Sequence, residues 1–203
     1  MKLTIHPTYQ DNVTAAALFI LVNADTLRTT ADHYKIKNLD SITQAVQFKS
    51  GFNESLSLTA QDSLPAFSQL IGLGSNSELQ PAKLAKLAQT IVKTAQKKFS
   101  SIAVDLSVLP QELHYIFALS LTQAAYGFDE FKTKKNEFVL EQIQLIATQS
   151  PLTAHQLKLI EAVHTGQNFA RDLGNRPGNI CFPEYLADQA LALAEEFPDL
   201  LKV

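Results

Sequence analysis

A chain of 203 residues with 46% hydrophobic and 18% charged side chains can bury a sizeable core, which excludes a disordered protein. A formal net charge of −3 argues against a dedicated nucleic-acid binder, whose affinity comes mostly from phosphate contacts. The single cysteine, Cys181, excludes an intramolecular disulfide and points to a reducing compartment.

The N-terminus runs straight into a strand-like segment, with no apolar core of a secretory signal behind it. The longest apolar run, residues 15–22, is too short to span a bilayer, so the cytoplasm is the expected location and no membrane partner is expected.

Residues 3–5 read as a first strand. Residues 16–22 (AALFILV) form a continuous apolar run, the pattern of a strand buried on both faces. Leu39, Ile42 and Val46 recur at helical spacing behind Asp40 and Ser41 and predict a helix over 39–48. Gly51 and Asn53 break it. Leu56 and Leu58 alternate with Ser55, Ser57 and Thr59, which predicts a short half-exposed strand.

Residues 67–73 predict another strand, ending at Gly72 and Gly74. Pro81 opens a helix with the stripe Leu84, Leu87, Ile91, Ala95 and Phe99, closed by Lys97 and Lys98 at its negative end. Residues 102–106 (IAVDL) form a buried strand. Pro110 opens the next helix, with Leu113, Ile116, Phe117, Ser120 and Ala124 on one face and Gly127 ending it. Residues 138–147 predict a long strand. This alternation argues for an α/β domain with a largely parallel or mixed sheet and helices on both faces.

Ser150-Pro151 marks a boundary. Thr153 and Gln156 form a capping-box pattern ahead of a helix reaching Gly174, with Leu157, Ile160, Val163, Ala170 and Leu173 at helical spacing. Residues 175–179, with Pro177 and Gly178, form a turn. Pro183 starts a last helix with the stripe Leu186, Ala190, Leu193 and Phe197, stopped by Pro198. Residues 200–203 read as the opening of a strand. A helix followed by half a strand is not a finished domain. The expected division is therefore an N-terminal domain over 1–150, a linker helix and turn over 151–182, and the start of a second domain over 183–203.

Residues that could carry chemistry are sparse. The five histidines, His6, His33, His114, His155 and His164, match no zinc motif, and all read as surface side chains. His155 and His164 lie on opposite faces of their helix. Cys181 has no histidine close in sequence and reads as a half-buried structural cysteine. The loop Gly72-Leu73-Gly74-Ser75 stands where a phosphate cradle would, but lacks the third glycine or lysine of the known fingerprints, so a plain turn is the better reading. Asp105 ends a buried strand, a place that lines sites in open α/β sheets, with no partner evident in sequence. The lysines at 93, 97, 98, 132, 134 and 135 read as solvated helix-end and loop residues, and Asp129-Glu130 as a solvated turn.

Residues 168–187, NFARDLGNRPGNICFPEYLA, resemble the linker of the leucyl aminopeptidase (cytosol aminopeptidase, peptidase A) family. There a helix ending in A-R-D-L leads to N-x-P-x-N and a proline-started helix containing Y-L-A. Residues 71–74 (IGLG) and 126–135 (YGFDEFKTKK) are similar to two further family segments. Phe182 departs from the threonine common in the family, and Gln123-Ala124 from a Glu-Gly pair.

The resemblance implies a macro-domain-like N-terminal domain, followed by a catalytic domain that holds two divalent metals, Mn or Zn, through lysine, aspartates and a glutamate. It also implies a cytosolic hexamer that releases N-terminal residues from peptides. No metal-binding motif of the family occurs within 1–203, so no catalytic residue and no metal ligand is carried over. Arg171, Asp172, Asn175, Pro177 and Asn179 match the family's interdomain connection, with a structural role expected. The alternatives are a nucleotide-binding module of ADP-ribose type, with Gly72 and Gly74 as candidate ligand-loop residues, or a DNA-binding accessory domain.

Overall fold

In a computed structural model, residues 1–9, 13–58, 62–135 and 137–202 are described. Thr59 and Val203, placed in strands by the sequence pattern, lie outside them. The chain forms two compact units, Met1–His164 and Thr165–Val203.

The first unit is built on a six-stranded sheet in the order β1-β6-β5-β2-β4-β3. The strands are β1 (Lys2–His6), β2 (Ala17–Val22), β3 (Ser55–Leu58), β4 (Phe67–Gly72), β5 (Ser101–Asp105) and β6 (Gln142–Ile146). All neighbours pair in parallel except β3, which runs antiparallel to β4 at one edge. Every residue of β2 is buried, as its unbroken apolar run predicts for a central strand covered on both faces.

Alternate residues of β2 feed two cores. Phe19 and Leu21 pack with α3 (Pro81–Ala95), α4 (His114–Ala124) and the start of α5 (Ala154–Asn175). Leu18, Ile20 and Val22 pack with Ala31 of α1 (Leu27–His33) and Leu39 of α2 (Leu39–Ala45). The sheet is therefore covered on both faces, as expected.

Several expectations are corrected. Helix α1 had no sequence signal. Helix α2 stops at Ala45 rather than 48: Gln47 takes a positive φ of 55°, which buries Phe48 and leaves Val46 exposed. The segment after Pro110 begins as a 3₁₀ turn over Gln111–Leu113 before α4. Strand β6 starts at Gln142 rather than 138. Before it, the Val139 N–H donates to the Gln96 carbonyl at 2.8 Å, and Phe138 packs against Gly127.

The capping box at α5 is present as predicted. The Gln156 N–H donates to Thr153 Oγ1 at 3.2 Å, and the Thr153 N–H donates to Gln156 Oε1 at 2.9 Å. One turn further along, Glu161 guards the open edge of β1. The Lys2 N–H donates inward to Glu141, so the next amide, Leu3, points off the sheet, where it donates to Glu161 Oε1 at 2.7 Å. Glu161→Ala is expected to cost about 1–2 kcal/mol, the usual worth of a hydrogen bond to a charged acceptor. It should also speed hydrogen exchange at the Leu3 amide but not at Lys2. Unchanged exchange at Leu3 would refute this role.

In the second unit, α5 ends at Asn175, a turn follows, and α6 spans Pro183–Glu196. No residue of α6 is buried, and Leu186, Leu191 and Phe197 are exposed. The strand expected from residue 200 is instead a turn, in which the Leu200 and Leu201 amides both donate to the Phe197 carbonyl. Phe182 caps α6 without a side-chain hydrogen bond. Phe182→Thr is therefore expected to raise helix stability by about 1 kcal/mol, read as a higher thermal midpoint of the far-UV circular dichroism signal.

Candidate functional site

Strands β2 and β5 are neighbours, yet the chain leaves β2 toward β4 and leaves β5 toward β6. Such a switch point opens a crevice at the carboxyl ends of the strands, where ligands sit in open α/β sheets. Here it is a cavity of about 390 Å³, lined among others by Thr26, Thr30, His33, Tyr34, Asp105 and Ser107.

Asp105 lies at its floor and is 4% exposed. The Tyr34 hydroxyl donates to Asp105 Oδ2 at 2.7 Å, and the Ser107 N–H donates to Oδ1 at 2.8 Å. Tyr34 was not legible as its partner, because the two stand 71 positions apart and Tyr34 follows a helix without a sequence signal. Burial raises the Tyr34 phenol far above its ordinary range, and the Asp105 charge and hydrogen bond raise it further. The side of the crevice formed by β2 is closed by a reciprocal turn: the Thr26 N–H and hydroxyl both donate to Asn23 Oδ1 at 2.9 Å. Both oxygens of the one buried carboxylate in the cavity are thus already engaged.

Gly72 and Gly74 lie on the adjoining strand end, where a loop of the chain itself crosses them. The Asn53 N–H donates to the Gly72 carbonyl at 2.8 Å, the Gly72 N–H to the Glu54 carbonyl at 2.8 Å, and the Gly74 N–H to the Ser50 carbonyl at 3.0 Å. Gly74 has φ +68°, where other residues are strained.

The surface reading of the histidines fails for two of the five, His114 and His164, which are buried. His114, 1% exposed, has Nε2 2.9 Å from the Leu109 carbonyl and Nδ1 3.0 Å from Ser150 Oγ. A carbonyl only accepts, so Nε2 carries a hydrogen. The ring ties together the loops that follow β5 and β6. Cys181 is half-buried, and among the described residues no group of three or more His, Cys, Asp or Glu could hold a metal ion.

The linker motif lies in the second unit. Arg171, Asp172 and Asn175 stand on the last turns of α5, and Pro177 and Asn179 in the turn after it. The Ile180 and Cys181 amides both donate to the Pro177 carbonyl at 2.9 Å, and the Arg176 amide to Asp172 at 3.1 Å. The Arg176 guanidinium donates to the Tyr185 hydroxyl and lies 5.4 Å from the ring centroid, clamping the turn to α6.

These features define a layered α/β domain with a short helical unit after it. Residues 20–135 match the cytosol aminopeptidase family, N-terminal domain, and the chain belongs to that family. Over all 203 residues it is 61% identical to a probable cytosol aminopeptidase of Acinetobacter baumannii and 60% identical to one of Acinetobacter baylyi, spanning 42% of the length of each. A Pseudomonas paraeruginosa relative is 33% identical over 141 residues.

Among solved structures, a tomato leucine aminopeptidase mutant superposes with a TM-score of 0.78 at 19% identity, covering 98% of this chain and 43% of that one. The bottromycin maturation enzyme BotP gives 0.69 at 16% identity, with 91% and 38% covered. Both show the same fold.

Proposed function

We propose that this chain is the non-catalytic N-terminal part of a metal-dependent leucyl aminopeptidase, and that it serves assembly or regulation of a catalytic portion outside it. The carrying observation is the match along the whole chain, at 61% identity, to relatives of which it spans only 42%. On this reading residues 1–150 are a macro-like domain, 151–182 the linker and 183–203 the first piece of the catalytic domain. The exposed Leu186 and Leu191 of α6, and Phe197 just after it, support that division, since a helix that carries apolar side chains and buries none calls for cover.

The motif residues Arg171, Asp172, Asn175, Pro177 and Asn179 then hold the interdomain turn. The intact protein would work in the cytoplasm as a homo-oligomer, a hexamer as in the family, on the N-terminal residues of peptides. Two divalent cations, Mn²⁺ or Zn²⁺, would activate its water and clamp the tetrahedral intermediate. The described residues do not fit such a pair, because they bring no set of carboxylate, histidine or thiolate ligands together. No step of hydrolysis is therefore assigned to them.

The purified 203-residue chain, given Mn²⁺ or Zn²⁺ and a leucine chromogenic amide, is expected to release no chromophore above the metal-only blank. Metal-dependent turnover would refute the reading.

A further inference from the structure

The two edges of the sheet are finished differently. At β1 the outward amide of Leu3 is taken by Glu161. At β3 nothing comparable is present among the described residues. The Gly72 N–H donates to the Glu54 carbonyl, and bonded pairs alternate along an antiparallel ladder. In the register Leu56↔Leu70 and Leu58↔Ser68, the leucines bond to β4, so Ser55 and Ser57 turn their N–H and C=O groups off the sheet. Two residues spaced i and i+2 with free main-chain groups are what an added strand needs.

Beside this edge runs a groove of about 440 Å³, bounded by the turn at 46–48 and by residues 54–57. Its wall carries Val46, which is 58% exposed although apolar. The Glu54 carboxylate in that wall is occupied, accepting from the Lys49 and Gly51 amides at 2.9 and 3.0 Å. The groove therefore offers a backbone ladder and an apolar contact, with the Glu54 carboxylate, its charge intact, held to the amides of its own loop through Oε2.

We propose that this edge binds an extended peptide, which adds to β3 as a further strand and sets one apolar side chain against Val46. A second copy of the chain is the weaker occupant. Two four-residue edges paired with each other would bury on the order of 500 Å², well below the roughly 1,200 Å² of a stable dimer.

The test uses the 203-residue chain and the blocked pentapeptide acetyl-Thr-Val-Thr-Val-Thr-amide as probe, followed by amide NMR. Saturable shifts are expected at Val46, Ser55 and Ser57, with at least tenfold slower exchange at the Ser55 and Ser57 amides and no change at Leu56 or Leu58. Ser57→Pro removes an outward donor while leaving the ladder to β4, and should abolish the shifts. Val46→Glu, a surface change, should weaken binding at least tenfold with an unchanged melting temperature. The proposal is overturned if the probe gives no saturable shifts, if the β1 edge responds equally, if both variants bind like the parent, or if light scattering shows the chain pairing with itself through β3.

Discussion

Gly72→Ala is expected to destabilise the first unit by roughly 3 kcal/mol or more, at the upper end of what overpacking costs. A Cβ at this position would drive into the backbone of Ser50 and Gly51, lying 2.7 Å from the Ser50 carbonyl carbon and 2.8 Å from its oxygen. That backbone cannot step aside cheaply. The loop it belongs to, residues 50–54, is tied to residues 72 and 74 by three main-chain hydrogen bonds made by Ser50, Asn53 and Glu54, and Ser50 is 1% exposed. The Glu54 carboxylate holds the same loop from its other end by accepting from Lys49 and Gly51. Gly166 and Gly174 in α5 are the control, since an added Cβ there meets nothing within 4 Å. Alanine at either should be neutral or raise helix stability by up to about 1 kcal/mol. Urea unfolding of the three variants separates the cases, and a Gly72→Ala chain that unfolds with the parent would show that the loop yields.

The same geometry explains why a strand-end glycine pair reads like a ligand loop in sequence. A cradle for phosphate and a seat for a crossing backbone both demand a missing Cβ, and spacing alone does not separate them. Elements whose own side chains decide their burial were legible. Strand β2 declares itself by an unbroken apolar run, and α3 by the stripe Leu84, Leu87, Ile91 and Ala95, all buried. Helix α1 could not be read, because LRTTADH buries only Thr30 and Ala31 and shows no stripe.

The overlong β6 contained its own correction. Phe138 and Leu140 fall on even positions and Ile143 and Leu145 on odd ones, and a strand cannot change phase without turning its side chains over. His114 was also within reach. It precedes Phe117, Ala118 and Leu121 by three, four and seven residues, so it shares their buried stripe, whereas the predicted stripe was rotated toward Leu113 and Ile116. The pairing of Tyr34 with Asp105 was out of reach, since it depends on how the connection after β2 folds back across the sheet.

That pairing carries the second large effect. Tyr34→Phe is expected to cost about 2–3 kcal/mol at neutral pH, because a carboxylate that is 4% exposed loses one of its two donors and keeps only the Ser107 amide. The loss should shrink when Asp105 is replaced as well: Tyr34→Phe combined with Asp105→Asn should be markedly less than additive in a double-mutant cycle. The pH dependence has a definite sign. The folded chain holds the Tyr34 proton above its ordinary value, first through burial and then through Asp105, whereas the unfolded chain releases it near pH 10. Above that pH the unfolded state binds fewer protons, so the stabilisation present below pH 10 is lost as pH rises, at up to about 1.4 kcal/mol per pH unit. Phenylalanine has no proton to lose. The gap in unfolding free energy between parent and Tyr34→Phe should therefore stay constant from pH 7 to 9.5 and narrow between pH 10 and 11. Parallel curves across that whole range would mean that the phenol is not shielded in the crevice, and that Asp105 is held by other means.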